Sequence, residues 1–316
     1  MPNRNYAIDF ARWIFAFFVV SLHVSFWHRD IFIPIARCAV PFFFMVTGYF
    51  LLDSSKERFL KSAKKWFGLW LKYTLTLFVL GSLWDSFYDG RIKNWTLSDM
   101  IGIVLSGSNA YIDEHVFEGN IYGISTLWFL YAGCLSTLFL YLNYKHLFKK
   151  SFNVLIGILL FGSNIVNYVC NWHYDEACRV FFLAIPFMYM GGVIKRIKKK
   201  FPMKWCFLVI VVLWMLGLFE VVIVKGTGMI VQNIYMMCIP MSVMIFYVVV
   251  NLQLAKLKTI IKYLPVTSTL DIYIWHRLVY FVLIVTNSCI AKVGAIEVFL
   301  ITAIFSLLIR LRKNEK

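Results

Sequence analysis

Of the 316 residues, 61% are hydrophobic, 18% aromatic and only 15% charged, with a mean hydropathy of +0.74. A soluble globular chain carries about 25% charged and 45–50% apolar residues, so this composition excludes a water-soluble protein and requires lipid around the fold. Thirty-two Lys plus Arg against sixteen Asp plus Glu give a net charge of +16, but the basic residues fall in short clusters between apolar runs, which is topology information and not a nucleic-acid footprint.

An apolar run of about 18 or more residues can cross a hydrocarbon core about 30 Å thick as a helix. Ten such runs are present, approximately 8–28, 31–52, 66–84, 122–144, 151–170, 179–194, 205–224, 229–250, 266–290 and 294–310. The expected fold is an all-α integral membrane protein with about ten transmembrane helices. Residues 85–121 form the one long connection. No polar stretch is long enough for a separate soluble domain, so residues 1–316 are read as a single transmembrane domain. The first run is not a cleavable signal peptide: it is long, carries Asp9, Arg12 and His23, and ends in Phe26, Trp27 and His28 instead of small residues.

Orientation follows from Lys and Arg. With the N-terminus in the cytoplasm, the inside segments are Lys56–Lys65, Lys145–Lys150, Lys195–Lys204, Lys256–Lys262 and Arg310–Lys316. With Arg4 they hold twenty-two basic residues, and the outside loops hold only Arg29, Arg91, Lys93, Lys225 and Lys292. The positive-inside rule therefore predicts both termini in the cytoplasm, as an even number of helices requires.

The sequence contains no P-loop, GxGxxG after a strand, GxSxG elbow or CxxC pair, and no repeat or matched pair of broken helices of the transporter type. No metal site is expected. Cys170 and Cys178 bracket a short outside loop and are candidates for a disulfide in an oxidising compartment. Chemistry must come from ionisable groups inside helices, each of which costs about 2.5–3.5 kcal/mol on insertion scales. Lys72, Arg179, Glu220 and Glu297 lie near helix ends, where they can simply snorkel or cap. The first run is the most informative. Arg12 and His23 are eleven residues apart, about three helical turns and 16 Å along the axis, so one stripe carries both. Asp9, three residues before Arg12, can pair with it.

These residues carry a resemblance. IDFARWIFAFFVVSLHV resembles the first helix of the membrane-bound acyltransferase 3 family, whose signature is an Arg, ten residues and a His, usually with Asp three positions before the Arg. ARCAVPFFFMVTGYFL is similar to the family's second-helix pattern, through Arg37, Val40, Pro41, Phe43, Phe44, Thr47, Gly48 and Tyr49. The following basic stretch has lysines at 61, 64 and 65 where the family commonly has arginines. STLWFLYAG resembles an H-L-W-x-L helix start, with Trp128 matching and Thr126 in place of the His. RVFFLAIPFMYMGGVIKR and TSTLDIYIWHRLV resemble later helices, His276 matching a Y-x-x-H element. The resemblance runs from residue 6 to 280. The expected type is one without the extracellular hydrolase-like or racemase domain that some relatives carry.

The resemblance implies a multi-pass enzyme of the bacterial cell (inner) membrane, an acyl-CoA-dependent O-acetyltransferase. It would move an acetyl or other short acyl group from acetyl-CoA on the cytoplasmic side to a hydroxyl of an exopolysaccharide or other glycan outside. Membrane lipid, acyl-CoA and a glycan acceptor are the partners; nucleic acid is not. Catalytic candidates are His23 and Asp9. Donor-binding candidates are Arg12, whose planar fork suits phosphate, with Arg37, Lys61, Lys64 and Lys65. Substrate-binding candidates are Trp128, Asp271 and His276. The lysines of 195–204 would concentrate the donor at the inner mouth. Neutral imidazole at His23 can act either as general base or as acyl carrier, with His276 as a second base in the latter case. Two alternatives stay open: a transporter of a small molecule or lipid-linked glycan on the same fold, and a non-catalytic scaffold of a glycan-synthesis complex. Acceptor identity, acyl chain length and oligomeric state have no signature in the residues.

Overall fold

The computed structural model describes residues 5–88, 127–170, 180–227, 234–252, 268–286 and 293–314, and all regular structure among them is helical. The helices are α1 (Tyr6–His23), α2 (Arg29–Arg37), α3 (Ala39–Leu51), α4 (Lys56–Tyr88), α5 (Trp128–Leu142), α6 (Lys150–Gly157), α7 (Ser163–Cys170), α8 (Ile185–Arg196), α9 (Met203–Gly226), α10 (Cys238–Asn251), α11 (Ser268–Thr286) and α12 (Ala295–Asn314). Each of the ten apolar runs contains helix. By length and composition, three segments among the described residues can cross a membrane: Tyr6–His23, Arg29–Leu51 and Met203–Gly226. Trp128–Leu142, Lys150–Val166, Cys238–Asn251 and Ala295–Ile309 are shorter apolar helices. Cys170 and Cys178, proposed for a disulfide, and Thr126 lie outside the described residues or side chains; Cys38, Cys134, Cys206 and Cys238 are free thiols.

The boundaries have local causes. Asn5 caps α1 by accepting from the backbone N–H of Ala7 and Ile8 at 3.0 and 3.2 Å, and Asp9 sits in the first turn where the helix dipole favours an acid. The second run is divided at Cys38. Its N–H bonds Ile35 O at 3.0 Å, and Pro41, in the first turn of α3, has no N–H to bond Arg37 O. The Pro34 carbonyl instead receives the thiols of Cys38 and Cys238, at 3.3 and 3.2 Å. The helix α4 is longer than its apolar run because the basic stretch from Lys56 continues it by more than two turns. A π-turn at Val180–Ala184 leads into Pro186. Another, Ile158–Gly162, joins α6 to α7, and Asn164 Nδ2 donates to Leu160 O there at 2.8 Å.

The tightest helix pair is α3 against α8. A Cβ on Gly48 would collide with the carbonyl of Met188, and one on Gly191 with the carbonyl of Met45. Only glycine allows this backbone approach, the usual way to gain van der Waals contact between membrane helices. Asp53, just after α3, holds the far end of α8 through Arg196, at 2.8 Å, and Lys195, at 3.4 Å. Glu220 of α9 is a cap for another helix: its carboxylate accepts from the N–H of Met236 and Met237 at 2.6 and 2.9 Å, and from the Tyr168 hydroxyl. The Glu297 carboxylate accepts from Gly294 N–H at 3.1 Å, so both end-placed acids are caps. Buried aromatics fill the centre, with Phe15 stacked on Phe42 at 4.4 Å and Phe44 against Phe129 at 4.6 Å. Outward, α9 exposes Phe207, Val211, Met215, Phe219 and Val222, and α12 exposes Leu300, Ile304 and Leu308. Faces this apolar need lipid against them.

Candidate active site

The helix α1 is continuous from Tyr6 to His23, and its two polar landmarks, Arg12 and His23, open into different cavities. Near its start lies a cavity of about 250 Å³ lined by Arg12, Phe43, Thr47, Lys65, Trp66, Phe129, Thr269, Leu270 and Tyr273. Near its end lies one of about 240 Å³, lined by Val19, Leu22, His23, Arg37, Val40, Pro41, Trp128, Leu183 and Tyr273. The first cavity combines a guanidinium, an ammonium and three hydroxyls, of Thr47, Thr269 and Tyr273, a donor set suited to phosphate oxygens. The second presents an imidazole beside a guanidinium and an indole.

Asp9 is 6% exposed and lies 3.9 Å from Arg12, one turn along the helix, so a carboxylate accompanies the guanidinium into the protein. The two catalytic candidates of the sequence, Asp9 and His23, thus stand at opposite ends of α1. Fourteen residues separate them on one straight helix, about 21 Å, so Asp9 cannot orient the imidazole.

His23 is held from its own backbone. Arg29 donates to Leu22 O at 2.8 Å and Arg277 to His23 O at 3.4 Å, placing two cations on the terminal carbonyls of α1, where the helix dipole favours them. The His23 ring faces His276, with ring centroids 5.3 Å apart. His276 is fully buried (0% exposed), and its Nδ1 lies 2.8 Å from Tyr273 O and 3.2 Å from Ile272 O. Carbonyl oxygens only accept, so Nδ1 carries the proton and Nε2 is left as an acceptor. Among the described residues, Nε2 has no hydrogen-bond partner. A buried imidazole acceptor beside a second imidazole can take a proton from a group that comes within hydrogen-bond reach.

The remaining sequence candidates separate. Arg37, grouped with Arg12 in the sequence, lines the His23 cavity instead. Lys65 lines the Arg12 cavity; Lys61 and Lys64, also exposed on α4, line neither cavity. Trp128 lies in the His23 cavity. Asp271 lines neither cavity; its carboxylate receives Ser306 Oγ at 3.0 Å from α12, a tie between helices. His276 stands behind His23. Sequence reasoning gave no role to Arg29, Tyr273, Phe129 or Thr269. Only the Y-x-x-H spacing was a signal for Tyr273, since residues three apart share a helix face. Among the described residues, no group of three or more His, Cys, Asp or Glu is placed to hold a metal ion.

A comparison with protein families matches residues 5–310 to the family described as "Acyltransferase domain", acyltransferase 3. The chain belongs to this family. The family is one of membrane acyltransferases, and the chain's all-helical fold with apolar outer faces agrees with membership. Two curated relatives, both named amino-acid racemase and both from Enterococcus faecalis, are similar to it. One is 24% identical over 305 residues, covering 88% of this chain and 41% of the relative; the other is 31% identical over 177 residues, covering 51% and 22%. The chain thus spans about two fifths, or less, of the length of these relatives. No solved structure matches it.

Proposed function

We propose that the chain is a multi-pass O-acyltransferase of the bacterial inner membrane, a single membrane domain with both termini cytoplasmic. It moves an acetyl or other short acyl group from acyl-CoA to a hydroxyl of a cell-surface glycan. The observation that carries this reading is the pair of cavities on one helix, a phosphate-suited one at Arg12 and Lys65 and an imidazole-bearing one at His23. In this orientation the Arg12 cavity opens toward the cytoplasm, where acyl-CoA is made, and the exposed lysines at 198–200 raise its local concentration.

Arg12 and Lys65 hold the phosphate end of the donor, and the thioester arm runs along α1 toward His23. The acceptor hydroxyl gives its proton to His23 as its oxygen attacks the thioester carbonyl. The carbon–sulfur bond then breaks, and the thiolate leaves and regains the proton from His23. The route through an acyl-histidine has the same balance in two steps, with His276 Nε2 taking the hydroxyl proton in the second. Asp271, Lys61 and Lys64 have no direct part in this sequence.

The test is transfer of labelled acetyl from acetyl-CoA into the envelope polysaccharide of inside-out membrane vesicles. Wild-type vesicles should label it, and His23→Ala should lower kcat by roughly 10²–10⁴-fold, the range for losing a positioned base, with donor binding retained. Near-wild-type transfer by folded His23→Ala would remove the assignment. The names of the two relatives favour one second reading, in which this membrane domain moves an amino acid. Amino-acid uptake without any thioester would favour that reading over acyl transfer.

A further inference from the structure

Tyr273 is the one side chain, among the described residues, that lines both cavities. It is 5% exposed, and its ring packs at 5.1 Å from Phe129 and 6.2 Å from His276. Phe129 is itself wedged by Phe44 at 4.6 Å and Trp66 at 5.6 Å, so the wall behind Tyr273 is fixed. Arg12 and His23 are about 16 Å apart along α1. A donor anchored at Arg12 must therefore bring its thioester past the Tyr273 ring to reach His23.

We propose that Tyr273 is the partition of the transfer path, a specificity-determining residue that keeps water from the thioester and limits the length of the acyl chain delivered to His23. The inference rests on the acyl-transfer reading above. Its chemistry is simple. With the ring in place, the thioester carbonyl meets only the acceptor oxygen. Without it the two cavities join, and a water oxygen adds to the carbonyl; the carbon–sulfur bond breaks, releasing a carboxylic acid and the coenzyme A thiol, which takes the water proton. The Tyr273 main-chain carbonyl, which any substitution at 273 retains, is what holds His276 Nδ1.

The experiment uses the full chain in inside-out vesicles with acetyl-CoA and hexanoyl-CoA, reading acyl label in the envelope polysaccharide and, separately, free thiol released after acceptor is depleted. Tyr273→Ala should raise thiol release several-fold and shift transfer toward the hexanoyl donor. Tyr273→Phe keeps the ring and should release less thiol than Tyr273→Ala, with less shift toward the hexanoyl donor. Tyr273→Trp should lower hexanoyl transfer more than acetyl transfer, which keeps the proposal testable if the alanine variant fails to fold. A folded Tyr273→Ala with unchanged thiol release and donor preference would overturn the partition, as would Tyr273→Phe behaving like Tyr273→Ala. Absence of any label with the wild-type chain would instead sink the acyl-transfer reading itself, so the two failures are distinct.

Discussion

Arg12 shows why charge alone does not describe a site. Its guanidinium lines a cavity with Lys65 and Thr47 while Asp9 lies 3.9 Å away, so a cation is held at a cavity wall without being stranded among apolar helices. Arg12→Lys keeps the charge and loses the planar fork. Losing one charge-assisted hydrogen bond of roughly 1.5–3 kcal/mol should weaken donor affinity about 10–100-fold with kcat less affected, readable as a KM change in the vesicle assay. Removing Asp9 is a different experiment: Asp9→Ala takes the carboxylate from a partly buried guanidinium and should cost stability first, seen as a lower Tm in detergent. His23 presents the opposite case, since Arg29 and Arg277 fix its backbone while its ring stays open to the cavity.

Between α3 and α8 the decisive quantity is backbone separation. Gly191→Val puts a branched side chain where the Met45 carbonyl already sits, so the helices must part. Overpacking of this kind costs about 1–3 kcal/mol, and the variant should melt measurably lower than wild type. Gly68 in α4 is the control, because nothing lies within 4 Å of the Cβ it would gain. Gly68→Ala should hold or raise Tm, by about 0.5–1 kcal/mol of helix preference. The two outcomes separate glycine used for approach from glycine that is merely tolerated. A second element-scale device is Glu220, whose carboxylate ties Met236, Met237 and Tyr168, so that α7, α9 and the start of α10 share one acceptor.

For the whole molecule, topology is the first measurement. A reporter fused after Lys316 should read cytoplasmic and one inserted near Glu114 extracytoplasmic; a cytoplasmic reading near Glu114 would remove the ten-span arrangement. The exposed lysines at 198–200 act at a distance in the proposed function. Replacing them with Gln should therefore weaken donor binding at low salt and little at high salt, since the Debye length falls from about 30 Å at 0.01 M to 3 Å at 1 M ionic strength. Loss of binding at both would mean direct phosphate contacts.

The sequence by itself determined that this chain is helical and lives in lipid, because an apolar excess and its periodic interruption by basic clusters are properties of neighbouring residues. It also determined the Arg12–His23 pair and the family, since both are written in spacing along one helix. Tertiary structure decided how those residues are shared out. Arg37 joins His23, Asp9 stays with Arg12, Asp271 is tied to Ser306, and His276 comes up behind His23 from 253 residues away in the chain. Likewise, Tyr273 becomes the common wall of two cavities only when α11 packs against α1 and α5. Spacing fixes which residues share a face of one helix; which faces meet is set by glycine approach and aromatic packing between helices distant in sequence, and no local pattern encodes that.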